Sequence, residues 1–154
     1  ANRIARAIVA ARPLATTTQL AEVVRDAVPA PARRRGGHPA RRTFHAIRIA
    51  VNDELAILPA AIDEAVGRLA AGGRCVVLAY HSGEDRIVKG RFRHAEAGGW
   101  AGPSHLPVPA HVVPTVRLLR RGAWKPTADE IADNPRAEAA RLRAVEKLPL
   151  QEVA

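Results

Sequence analysis

Two short runs hold the side chains best suited to chemistry. In the first, Arg41, His45, Arg48 and Asn52 recur at three- and four-residue steps, so a helix would gather cations, an imidazole and an amide on one face. In the second, His81 and Ser82 directly follow the apolar run CVVLAY, residues 75–80. Bounded by Gly72-Gly73 behind and His-Ser-Gly ahead, that run predicts a strand buried on both faces. Ligands of open α/β sheets sit beyond the carboxyl ends of strands, so placement alone makes His81 and Ser82 candidates for a site. Ser82 with Asp85 three residues on also fits a helix capping box, which gives the pair an alternative, structural reading.

Other chemistries are poorly served. His81 and Ser82 are adjacent, no G-x-S-x-G elbow is present and no orienting acid stands out, which argues against a Ser–His hydrolase. The six histidines are scattered without H-x-x-x-H spacing, so no metal is expected. The single cysteine, Cys75, allows no disulfide within the chain; it suits a reducing cytoplasm and reads as a small core residue.

The elements that must position these residues alternate between helix and glycine- or proline-marked breaks. Asn2–Arg12 reads as a helix stopped by Pro13; Thr16 with Gln19 forms a capping box for a second helix running through Val28. The segment PAPARRRGG, residues 29–37, is the expected flexible boundary, and its Arg33, Arg34 and Arg35 would either contact phosphate or simply keep a linker extended. His38-Pro39 starts a long helix, with Pro39 at the first position and an apolar stripe of Ala40, Phe44, Ile47, Val51, Leu55 and Leu58. Pro59 marks a break or a fresh start, helix continues to about Ala70, and Gly72-Gly73 stops it ahead of the strand. A further helix is expected from about Glu84, then a Gly/Pro loop over residues 95–109. Residues 111–120 have strand character, demoted toward an edge by Pro114. Thr127 with Glu130 caps a short helix ending before Asn134-Pro135, and propensity alone makes the last segment helical.

Composition narrows the partner. A net charge of +9 and a pI near 11.3 point to a polyanion, with RNA ahead of a membrane. No apolar run is long enough to span a bilayer. With 47% hydrophobic but only 3% aromatic residues, the core must be built from Ala, Val, Leu and Ile. The chain contains no Met, and reads as a piece of something longer.

The stretch RGGHPARRTFHAIRIAVNDEL, Arg35 to Leu55, closely resembles the motif of the bacterial 16S rRNA cytosine-N4 methyltransferases, the RsmH or MraW family. Arg41, His45 and Ile47 depart from it, standing where Thr, Gln and Leu are usual. GGRCVVLAYHSGEDRIVK, Gly72 to Lys89, is similar to a second family motif, with Ala79 and Gly83 in place of Ser and Leu. Asn134 to Lys147 resembles the closing motif, except that Glu138 and Ala139 replace Arg-Ser. The resemblance implies an α/β fold: the C-terminal part of a class I, Rossmann-like methyltransferase plus part of an inserted α-helical domain. Residues 1–32 would belong to that rRNA-recognition domain and 33–154 to the methyltransferase domain, with Arg141 to Lys147 a terminal strand.

It also implies methyl transfer from S-adenosylmethionine to the exocyclic N4 of a decoding-centre cytidine in 16S rRNA, on the small ribosomal subunit. His81 and Ser82 would then be catalytic. His38, Arg42, Arg48, Asn52, Asp53 and the Arg33–Arg35 run would bind substrate. The glycine-rich turn and acidic ribose-binding residue expected for the cofactor are not found, so the chain is expected to be a C-terminal half, inactive alone. The alternative is a non-catalytic basic RNA- or ribosome-binding module.

Overall fold

The computed structural model describes residues 1–33, 37–100, 102, 109 and 112–149, except for the side chains of Ala32 and Arg33. The chain forms two compact units, Ala1–Glu54 and Leu55–Ala154. The division falls beyond the basic glycine segment that composition marks as a boundary.

The first unit is helical. α1 (Asn2–Ala10) packs on α2 (Thr17–Ala27). The expected capping box is present: the Thr16 hydroxyl accepts from the Gln19 N–H at 3.2 Å, and Gln19 Oε1 accepts from the Thr16 N–H at 3.2 Å. The first part of the proline–arginine segment, expected to be flexible, forms a helical turn, α3 (Ala30–Arg33). Arg34, Arg35 and Gly36 lie outside the described residues. Val24, Ala27 and Ala40 are buried.

The long central helix expected from His38 is in fact two helices. α4 spans Arg41–Asn52 and α5 spans Glu54–Gly67. Pro39 precedes the helix instead of occupying its first position, and Pro59 sits inside α5 without ending it. The break comes at Asp53, which takes the left-handed conformation (φ 54°, ψ 30°) and gives its N–H to the Ile49 carbonyl. One continuous stripe therefore cannot persist. Ala40 is buried, but Val51 is 77% exposed, while Leu58 joins the core of the second unit.

In the second unit, helix α5, the Gly72-Gly73 turn, strand β1 (Arg74–Ala79) and helix α6 (Ser82–Glu96) follow in the expected order. β2 is only Val116–Leu118, shorter than the strand expected over residues 111–120, where His111 is not described. After α7 (Ala128–Asp133) and a 3₁₀ turn (Pro135–Ala139), β3 spans Arg141–Lys147. Propensity favours helix there, but the segment is the central strand of a three-stranded sheet of order β1-β3-β2. Both pairings are antiparallel. Glu146 lies opposite Arg74 on one side and Arg117 on the other, and its carboxylate receives Arg74 Nε at 3.0 Å and Arg117 Nη2 at 2.7 Å. Pairing on both edges and this cross-strand ladder outweigh a local preference of tenths of a kilocalorie per residue (~0.2–0.5 kcal/mol).

The α/β content is as expected, and the described strands pair antiparallel. β1 is not buried on both faces. Its burial alternates, leaving Val76 57% and Leu78 49% exposed while Cys75, Val77 and Ala79 turn inward. On the inner face, Ile62 and Val66 of α5, Val88 and Phe92 of α6, Val116 and Val145 form the core. Each fully buried side chain of this size contributes about 1.5–3 kcal/mol.

Candidate functional site

His81 stands between β1 and α6 because a strand must turn there into a helix. Its backbone is extended, and its Nδ1 accepts from the Gly83 and Glu84 N–H groups at 3.2 and 3.3 Å. Glu84 replies: Oε2 accepts from the N–H groups of Tyr80 at 3.0 Å and His81 at 3.3 Å. The capping box is thus His81–Glu84 and not Ser82–Asp85, one residue earlier than the hydroxyl suggests. Two donors converging on Nδ1 assign the lone pair there and the proton to Nε2, which lies 3.3 Å from Glu84 Oε1. Ser82 opens the helix and is exposed.

Asp85, released from capping, forms a bidentate pair with Arg143 of β3, Nε to Oδ1 at 2.7 Å and Nη2 to Oδ2 at 3.1 Å. Hydrogen bonding to the Arg143 guanidinium holds the Asp85 carboxyl below its ordinary range, against the opposing effect of burial. This pair pins the first turn of α6 to the central strand and so sets where His81 and Ser82 stand. Glu84 and Arg143 were not singled out as candidates; both acquire their roles only through pairing.

A separate constellation forms in the first unit. The Arg48 guanidinium meets the Glu54 carboxylate, Nε to Oε1 at 3.0 Å and Nη2 to Oε2 at 3.3 Å, and Asn52 Nδ2 donates to Oε1 at 3.0 Å. The Asn52 hydrogen bond first, then Arg48, lowers the Glu54 pKa. Of the expected substrate contacts, Arg48 and Asn52 are therefore brought together on Glu54, with Asp53 as the left-handed corner between them and the carboxylate. Arg42 is exposed, and His38 serves the start of α4, its Nδ1 accepting from the Ala40 N–H at 3.2 Å. The Arg33 side chain, Arg34 and Arg35 lie outside the described residues.

Two depressions in the second unit bear on cofactor binding. One encloses about 10 Å³ between α6 and the sheet, and the other about 240 Å³ beside Asp63, Arg91, His94 and Lys147. Pockets for cofactor-sized ligands enclose about 300–1,000 Å³ and are lined mostly by apolar groups. Neither depression fits S-adenosylmethionine. Among the described residues no group of His, Cys, Asp and Glu could hold a metal ion, and no helix is long and apolar enough to cross a membrane.

The family model described as the MraW methylase family matches residues 1–148. The chain is 55% identical over 150 residues to a Mycobacterium sp. (strain KMS) protein named ribosomal RNA small subunit methyltransferase H. It is 55% identical over 152 residues to the protein of that name from Frankia casuarinae, and 54% identical over 151 residues to that from Thermobifida fusca. In each case 96% of this chain is covered, but only 40%, 46% and 45% of the respective relative. These shares support no C-terminal placement, and the expectation of a C-terminal half is withdrawn. With a family match across nearly its whole length and more than half of its residues shared with such relatives, the chain belongs to the MraW methylase family.

Proposed function

We propose that this chain is part of an enzyme that methylates the RNA of the small ribosomal subunit. One observation carries the reading: over 96% of its length this chain is 52–55% identical to relatives named for that activity. The finer assignment is the exocyclic N4 of a decoding-centre cytidine in 16S rRNA, with S-adenosylmethionine as donor and the cytoplasm as the place of work. No described residue is assigned to the donor.

The cytosine amine is a poor nucleophile because its lone pair is conjugated into the ring. The protein must therefore hold the base unstacked and fix the amine in line, by hydrogen bonds along its polar edge. Ser82, exposed at the end of β1, is assigned to that edge, and His81 orients it by capping the same helix turn. Arg42 contacts phosphate, as do Arg33, Arg34 and Arg35. Arg48, Asn52 and Asp53 brace the substrate face through Glu54. Residues 1–32 are assigned to rRNA recognition and 33–154 to the methyltransferase domain, a class I fold.

The test is methyl transfer from labelled S-adenosylmethionine to small subunits lacking the modification, using the gene product at its native length. Incorporation at a cytidine N4, reduced at least tenfold by Ser82→Ala, is the expected result. Incorporation at another atom would overturn the N4 assignment. The second reading, a basic RNA-binding module without catalysis, is supported by the net charge of +9. It predicts binding to the subunit with no incorporation.

A further inference from the structure

The smaller depression of the second unit is ringed by basic side chains that the proposed reaction does not use. Lys89 and Arg93 come from α6, Arg120 and Arg121 from the turn after β2, and Phe92, Leu118 and Ala144 also line it. Arg143 lines it too, but its guanidinium is committed to Asp85. Among the described residues, no carboxylate lies within salt-bridge distance of Lys89, Arg93, Arg120 or Arg121, although Lys89 is close enough to Asp85 to help hold its carboxyl below the ordinary range. Lys89 and Arg93 are four apart on one helix face, where like charges cost about 0.2–0.5 kcal/mol. Arg120 lies 5.7 Å from the centroid of the Trp124 ring, which orders a guanidinium that no carboxylate holds. Folding alone does not reward this concentration of charge.

The shape selects the ligand. An enclosed volume of about 10 Å³ has room for about one water-sized group, so a nucleobase or small organic anion cannot enter. Four cations around a spot too small to enter suit an anion that lies across the rim and presents successive charges. We propose that Lys89, Arg93, Arg120 and Arg121 form a contact for the RNA phosphodiester backbone, separate from the cations of the first unit and indifferent to sequence. This rests on the reading of the chain as an RNA-binding protein.

The experiment measures binding of the gene product at its native length to two unrelated single-stranded RNAs of equal length, one from 16S rRNA, by fluorescence anisotropy over a series of KCl concentrations. The variant carries Lys89→Gln, Arg93→Gln, Arg120→Gln and Arg121→Gln. Each lost phosphate contact lowers the slope of log affinity against log salt by about 0.7, so a fall approaching about 3 is expected, equal on both RNAs. A slope unchanged from wild type, or a loss confined to one RNA, overturns the proposal. So does a variant that loses binding to anionic phosphatidylserine vesicles while keeping its RNA slope. If the wild type shows no salt-dependent RNA binding, the RNA reading itself falls, and this inference with it. Should the fourfold variant lose its thermal transition, Arg120→Gln with Arg121→Gln on the exposed turn decides, with about half the change in slope.

Discussion

At the first turn of α6, the His81 imidazole satisfies two backbone N–H groups that the helix leaves without partners. His81→Ala should cost about 1 kcal/mol, read as a lowered thermal midpoint, whereas His81→Asn should retain most of the cap. The same pair separates capping from catalysis: full activity in the stable Asn variant would leave His81 a capping residue only. Asp85 predicts a pH dependence. Its folded pKa is depressed, so its stabilisation is present above the unfolded value of about 3.9 and is lost as pH falls through the folded value. Asp85→Asn should lower stability at pH 7 by about 1.5–3 kcal/mol and flatten the acid limb of urea midpoints measured between about pH 2 and 7. At Asp53 the backbone is left-handed, so Asp53→Gly should be neutral or stabilising. Asp53→Val should cost about 1–2 kcal/mol in the same denaturation assay.

Element by element, the turns were more legible than the strands. Thr16, Thr127, Gly72-Gly73 and Asn134-Pro135 mark ends the structure keeps, because caps and stops act over three or four residues. Gly73 is a sharp case. A Cβ there would stand 2.8 Å from the Ala70 carbonyl oxygen, so Gly73→Ala should destabilise by about 1–3 kcal/mol in urea. A stability equal to wild type would mean the turn relaxes freely. Ser82 with Asp85 was the visible capping candidate, because local rules favour a hydroxyl. The choice fell to His81 because Asp85 pairs with an arginine 58 residues away, which no local pattern reports. Likewise Asn52 and Glu54, two apart, would diverge on a straight helix; only the corner at Asp53 lets both meet.

At the largest scale, the described residues leave the outer face of β1 uncovered, with Val76, Leu78 and Tyr80 all about half exposed or more. β1 is an edge strand as well, and exposed apolar edges promote association. Val76→Thr with Leu78→Thr should reduce concentration-dependent light scattering while changing unfolding free energy by less than about 1 kcal/mol. Scattering unchanged at matched stability would acquit this face. What the sequence by itself determined was membership of the family, carried by runs of residues long enough to be specific, together with the caps, the glycine turn and the basic charge. These are local or additive properties. The resemblance already made Arg141–Lys147 a strand; tertiary structure alone decided that it is the central one, that the central helix breaks at Asp53, and that β1 buries one face. It also joined Arg143 to Asp85 and gathered the four cations of α6 and the β2 turn. Each of these depends on contacts between residues distant in the chain, whose energies exceed local preference only once the elements have packed.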